Sequence, residues 1–285
     1  MLHNVLVCLD ASQGQAALRA CQEVAFEFAA RYRARLTGLF VRAPAPMIAP
    51  LVYPPEVALG ATMAMASMEA SARAADQDKR EAELGEAWLD RFVDGARKAG
   101  IEAQGHLACG DIVEKIVEFS HAADLVLLPD AHTPGMPAWP LARITRAVAR
   151  PILLASQCQL PIERIAVAYD GSMGADRALQ TAVDIAVNWP PPRPDVILLS
   201  VASSPDTKPA SLGSAEQYVR GYGLSYHTHV CGGKPAEAIC QAADEEQASL
   251  LCMGAYNHST LREALLGSTT DEVVEHRKQP LLLCH

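Results

Sequence analysis

Short apolar runs punctuate the chain from end to end. Examples are "NVLVCL" from Asn4, "LVLLP" from Leu125, "PILLA" from Pro151, "RIAVA" from Arg164, "VILLSV" from Val196, "LLCMG" from Leu250 and "PLLLC" from Pro280. They are leucine-rich or β-branched and continuous rather than alternating, which suits strands covered on both faces. Between them the period becomes helical. "ADRALQTAVDIAVNW" brings Ala178, Val183, Ile185 and Ala186 near one stripe, and "KPAEAICQAADEE" opens with Pro235 where a first helical turn tolerates proline. Strands alternating with helices predict a parallel sheet wound by right-handed crossovers, with about five strands and four helices in each half of the chain.

The pattern also repeats. "NVLVCLDASQG" (4–14) lies over "RIAVAYDGSMG" (164–174), setting Asp10 on Asp170, Ser12 on Ser172 and Gly14 on Gly174. "CGDIVEKI" then matches "GGKPAEAI", "ADLVLLP" matches "ASLLCMG", and "RPILLAS" matches "QPLLLCH", all in the same order. An ordered set of this kind predicts a tandem duplication, with domains at 1–157 and 161–285 joined near "QCQLP". Each is expected to be a doubly wound α/β domain with a five-stranded parallel sheet, Rossmann-like in plan. The first carries an insertion at about 44–99. Its proline-rich start reads as surface loop, and the remainder as a long amphipathic helix with Leu84, Trp88, Phe92 and Val93 inward. Met63, Met65 and Met68 read as packing residues. The equivalent region of the second half, 205–223, is shorter.

Composition narrows the function classes. A net charge of −9, with no basic block, argues against a non-specific nucleic-acid binder. The eight cysteines are scattered, without CxxC or metal-ligand spacing, and read as buried free thiols in a reducing compartment. No basic leader precedes the first apolar run and no run nears the roughly 20 residues that span a bilayer, so the expectation is a cytoplasmic protein without membrane contact.

Candidate chemistry gathers where strands end. In an open parallel sheet, ligands sit beyond the carboxyl ends of strands where the winding reverses. "LLCMG" and "IAVAYDGS" both end there. Gly254 lets a backbone approach a ligand without a Cβ in the way. "GSTT" (267–270) offers amide N–H groups and hydroxyls at the start of a helix whose dipole favours negative charge, and Arg262 and His258 stand in the intervening loop. These residues describe a phosphate cradle, although Ser or Thr before a helix is also an ordinary N-cap.

The span from Gly254 to Thr270 resembles the signature of the universal stress protein family, G-x2-G-x9-G-[ST], here as Gly254, Asn257, Gly267 and Ser268. "YDGS", "GGKPAEAI" and the closing "PLLLCH" are similar to that family in the same order. The resemblance implies a fold of the adenine nucleotide alpha hydrolase-like kind. It also implies ATP or AMP as ligand, Mg²⁺ accompanying the phosphates, and domains paired through their last strands. Carried onto this chain, it implies that Asp170 holds the ribose or adenine, that Ala168 and Tyr169 line the base, and that Val201 meets adenine through its backbone. Gly254, Asn257, Gly267, Ser268, Thr269 and Thr270 would surround the phosphates. Asn257 departs from the pattern's glycine; asparagine tolerates a left-handed backbone, but its side chain takes space beside the phosphates.

The first half has lost the cradle. Asp10 and Val41 keep their places, but Pro129 replaces Gly254, and aligning Pro151 with Pro280 sets Ala138-Trp139-Pro140 on Gly267-Ser268-Thr269. Proline removes a donor, tryptophan fills volume and Asp130 adds negative charge, so this half is not expected to bind ATP. Pairing "RPILLAS" with "QPLLLCH" would cover both exposed edges and make the tandem an internal pseudo-dimer, with a further homodimer left open.

No catalytic residue is assigned. His258, Ser259, Ser268 and Asp170 read as polar ligand contacts rather than a triad, and slow ATP hydrolysis or autophosphorylation has no identifiable base. His227 and His229 share one side of a strand; without a third ligand nearby they read as surface residues rather than a metal site. Two functions remain: an ATP-binding regulatory protein of the stress response, or a nucleotide-free scaffold in which "GSTT" is only a cap. A ligase or nucleotide transferase of related fold lacks any further motif.

Overall fold

The computed structural model describes residues 2–9, 14–42, 58–130, 139–155, 161–202, 209–255 and 268–285. The first half runs β1 (Asn4–Leu9), α1 (Gly14–Tyr32), β2 (Arg35–Arg42), α2 (Ala58–Lys98), β3 (Ala103–Cys109), α3 (Ile112–Ser120), β4 (Leu125–Pro129), α4 (Leu141–Ala147) and β5 (Ile152–Ala155). The second half repeats the order with β6 (Arg164–Ala168), α5 (Met173–Asn188), β7 (Asp195–Val201), α6 (Ala210–Gly221), β8 (Tyr226–Cys231), α7 (Pro235–Glu245), β9 (Leu250–Gly254), α8 (Ser268–His276) and β10 (Leu281–Cys284). Strand and helix therefore alternate as the apolar pattern requires.

All ten strands form one sheet, in the order β3-β2-β1-β4-β5-β10-β9-β6-β7-β8. Within each half the described pairings are parallel; among the described strands only β5 and β10 meet antiparallel, with Leu281 opposite Leu154, Leu282 opposite Leu153 and Leu283 opposite Ile152. The strand-end leucines of each half thereby cover the other half's edge. Because that single junction is antiparallel, the carboxyl ends of the two sets of strands point in opposite directions along the sheet.

Both faces of the sheet are covered, as continuous apolar strands demand. On one face Val7, Leu127, Val167 and Cys252 pack with residues of α1 and α5, and the layer crosses the junction. There the Phe28 and Trp189 rings meet edge-on at 5.7 Å, and the Tyr32 hydroxyl donates to the Ile185 carbonyl at 3.1 Å. On the other face Leu6, Leu128, Ala166 and Leu283 pack with Ile116, Ile144, Ile239 and Val273 from α3, α4, α7 and α8. Ala178, Val183, Ile185 and Ala186 are all buried in α5, and Pro235 occupies the first turn of α7.

The long helix of the first half places its buried stripe differently from the sequence expectation. Phe92 is buried and Trp88 and Val93 are half-buried, but Leu84 is 42% exposed. The inward stripe is Gly85, Leu89, Phe92 and Ala96, spaced by helical turns, so Leu84 falls one residue outside it. Gly85 faces the sheet because a Cβ there would come 2.7 Å from the Phe40 ring and 2.8 Å from Leu107. Closeness of helix to strands, not side-chain size, selects that position. Met68 is 73% exposed and does not pack, contrary to expectation; the side chains of Met63 and Met65 lie outside the described residues. Among the cysteines, Cys8, Cys21, Cys240, Cys252 and Cys284 are buried and outside any disulfide, Cys231 is half-buried and Cys109 exposed, while Cys158 lies outside the described residues. No helix among the described residues is long and apolar enough to cross a membrane.

Candidate functional site

The winding of the second half reverses between β6 and β9, which are adjacent and parallel, with Ala168 beside Met253. A crevice beyond their carboxyl ends is the place such a sheet offers a ligand. β6 ends at Ala168, and the chain continues through Tyr169, whose N–H donates to the Leu199 carbonyl at 2.7 Å, to the exposed Asp170. Asp170 Oδ1 accepts the Ser172 N–H at 2.9 Å, which fixes the turn. Gly171 has φ +82°, and a Cβ there would meet Ser211 at 2.9 Å, so this turn is reserved for glycine. Ser172 then caps α5, accepting the Ala175 N–H at 3.2 Å.

The neighbouring strands contribute their ends. Val201 closes β7 opposite Cys231, half-buried against the same apolar layer as Ala168 and Val273 of α8. Gly254 closes β9 beside Cys284, and the next amide, Ala255, donates to the Cys284 carbonyl at 2.7 Å. Helix α8 lies between two parallel strands, β9 and β10, so it must run back against them and start at their carboxyl ends. Ser268 is its first residue, Thr269 is half-buried and Thr270 is 5% exposed. Asp271 adds a carboxylate to the same first turn. Ala168, Asp170, Val201, Gly254, Thr269 and Thr270 thus belong to one end of the sheet. Asn257 and Gly267 lie outside the described residues, as do the Ser268 side chain, His258, Ser259 and Arg262.

Tyr169 stands directly after β6. Its ring lies in the buried layer under α5, and its hydroxyl donates to Asp176 Oδ1 at 2.7 Å. Burial first, then the Asp176 bond, pushes the phenol up to about 12.

The first half differs at the strand end and the helix start that match Gly254 and α8. Pro129 ends β4, and the Trp139 indole Nε1 donates to its carbonyl at 2.9 Å. Helix α4 starts after Pro140, without a side-chain cap. Asp130 pairs with Arg277, which arrives from the second half just past α8. Val41 is half-buried against the same apolar layer as its counterpart; Asp10 and Ala138 lie outside the described residues.

Sequence inspection missed the partners of two polar clusters, Glu246 for His227 and His229 and Arg277 for Asp130. Arg277 is invisible as a site residue because its partner Asp130 is distant in the chain. His227 and His229 do share a side of β8, and both meet Glu246 beyond α7: His227 Nε2 at 2.9 Å from Oε2, His229 Nδ1 at 2.8 Å from Oε1. Their spacing was the only signal. No group of His, Cys, Asp and Glu among the described residues is arranged to hold a metal ion.

An open sheet of parallel strands whose turns and helix start converge at a winding reversal defines a doubly wound α/β protein of the Rossmann-like class. Residues 161–285 match the model of the universal stress protein family, so this half carries a domain of that kind. Universal stress protein Slr1230 of Synechocystis sp. is 29% identical over 142 residues, which are 50% of this chain and 49% of that protein. The chain spans about half the length of the curated relatives it matches. Among solved structures, a universal stress protein from Archaeoglobus fulgidus DSM 4304 superposes with a TM-score of 0.72 at 19% identity, covering 99% of this chain and 97% of that one. A putative universal stress protein from Pseudomonas aeruginosa UCBPP-PA14 gives 0.61 at 16% identity, with 99% and 93% covered. At these identities the likeness establishes the fold along the whole chain.

Proposed function

We propose that the second half holds an adenine nucleotide, ATP or AMP, and that the chain is a nucleotide-responsive regulatory protein of the stress response. The observation that carries this is the convergence, at the β6/β9 reversal, of the Asp170 turn, the Val201 strand end, Gly254 and the start of α8 with Thr269 and Thr270. A carboxylate at one side suits ribose hydroxyls. A helix start with hydroxyl side chains at the other suits phosphate, since amide donors and the dipole are both in place. Mg²⁺ would travel with the phosphates, and the Thr hydroxyls and Asp170 are hard oxygen donors that fit such an ion. Ala168 and Val201 would pack against the base, Tyr169 contributing main chain alone. Asn257, Gly267 and Ser268 complete the phosphate side in this reading.

In the same reading the chain is two domains, 1–157 and 161–285, of which the first is a degenerate copy that binds no nucleotide, and the β5–β10 junction makes them an internal pseudo-dimer. Trp139 and Pro140 at the matching helix start support this division. The scaffold reading draws support from Asp271, whose carboxylate sits in the first turn of α8 and would repel a phosphate.

The test is direct. The protein is purified without added nucleotide, denatured, and the released adenine nucleotide measured by chromatography; the stripped protein is then titrated with ATP and Mg²⁺ by calorimetry, beside Asp170→Ala. About one nucleotide per chain, weakened at least tenfold by the substitution, is the expected result. None on either measurement would leave the scaffold.

A further inference from the structure

A side chain from the second half reaches the carboxyl edge of the first half's strands. Arg277 leaves the end of α8, and its side chain is 1% exposed; the Asp130 side chain, directly after β4, is 13% exposed. One guanidinium nitrogen donates to the Val274 carbonyl and another to Asp130 Oδ2, while the buried Nε has no partner among the described residues. Burial pulls the guanidinium below its ordinary range, and Asp130 opposes that pull.

The location follows from topology. β10 runs antiparallel to β5, so the residues entering β10 lie where β5 and β4 end, at the first half's own carboxyl edge: Leu281 is opposite Leu154, Leu128 is beside Leu154, and the Asp130 N–H donates to the Ala155 carbonyl at 3.2 Å. The duplication supplies an internal control. Setting Pro129 on Gly254 makes Ala255 the counterpart of Asp130, and setting Pro151 on Pro280 makes Val148 the counterpart of Arg277. Both are fully buried members of one apolar layer. One end of the sheet therefore carries a buried cation and carboxylate where the other carries two aliphatic groups.

We propose that Arg277 makes the first half's ligand end an anion site that is already filled from within, with the Asp130 carboxylate as its resident anion. A buried guanidinium is stable there only with an acceptor, and Asp130 stands directly after β4, at the edge where a doubly wound sheet presents an anionic ligand. The spare Nε–H leaves the fork able to receive a second oxygen, the geometry that favours tetrahedral oxyanions as well as carboxylates. The site excludes external anions because its own occupant is tethered, and the tether joins the two halves.

The experiment uses the full chain and inorganic phosphate, with thermal unfolding followed in chloride and in phosphate at matched ionic strength. Asp130→Ala vacates the acceptor. Its melting temperature is expected to fall in chloride and to recover by about 3 °C or more in phosphate, whereas wild type and the Asp130→Ala/Arg277→Met double variant gain less. A phosphate gain no larger than that of wild type overturns the proposal, as does an equal gain in the double variant. Should Asp130→Ala fold in neither buffer, Asp130→Asn keeps the shape without the charge, and the same comparison decides.

Discussion

Leu282 of β10 lies opposite Leu153 of β5, at the centre of the antiparallel pair that turns two five-stranded parallel sheets into one of ten strands. Both side chains are buried, one on each side of the antiparallel junction. The expected cost of Leu282→Ala is about 2–5 kcal/mol, from lost burial and the cavity left behind. Urea unfolding of this variant, of Leu153→Ala and of the double variant checks it. The double is expected to cost less than the sum, because facing residues share their loss. A single cost well below 1 kcal/mol would show that the α1–α5 contacts hold the junction instead.

Two glycines should respond oppositely to alanine. At Gly85 a Cβ meets the Phe40 ring and Leu107 below 3 Å, so Gly85→Ala is expected to destabilise by about 1–3 kcal/mol through overpacking. At Gly213, exposed within α6, a Cβ meets nothing within 4 Å, and Gly213→Ala is expected to gain roughly 0.5–1 kcal/mol of helix propensity. Equal effects of the two changes in denaturant titrations would contradict this account of how α2 sits on the sheet.

Tyr169 should make the fold sensitive to alkali. Its phenol titrates near 10 when unfolded and is pushed up to about 12 in the fold, by burial and then by Asp176. Above pH 10 the unfolded chain loses the proton that the folded one keeps, so stability falls as pH rises from 10 towards 12 and then levels. Tyr169→Phe removes this contribution, and the difference between wild type and variant should shrink over that interval. A constant difference across pH 9–12 would count against the buried, hydrogen-bonded phenol.

Glu246 sets the acid side. Burial pushes its carboxyl up, but the bonds from His229 and His227 outweigh burial and hold it below the usual carboxylate range. Its contribution is therefore complete above the unfolded carboxyl range near pH 4.3 and is lost as pH falls through the lower folded value. Glu246→Gln should remove that acid-dependent loss, seen as a flatter stability curve below pH 5. If the variant's curve keeps the wild-type slope, the two histidines do not clamp this carboxylate.

Much of this molecule is written in local pattern. Continuous apolar runs became strands, 3.6-residue stripes became helices, and ordered internal matches such as Asp10 with Asp170 announced the repeated arrangement before any coordinates. The contrast between Gly254 and Pro129, and between the Ser-Thr-Thr start of α8 and the Trp139-Pro140 start of α4, was equally legible, because a helix start and a strand end are each set by a few consecutive residues. Pattern failed where partners are remote. Periodicity placed Leu84 inward, but the closeness of Phe40 and Leu107 gave that face to Gly85. Asp130 read as a stray charge until the antiparallel register of β5 and β10 brought Arg277, 147 residues away in sequence, to neutralise it. Sequence determines which segments bury their side chains, since hydrophobicity and turn chemistry act over a few residues. Only the tertiary structure decides which buried charge meets which, since that depends on how the strands are ordered and in which direction each one runs.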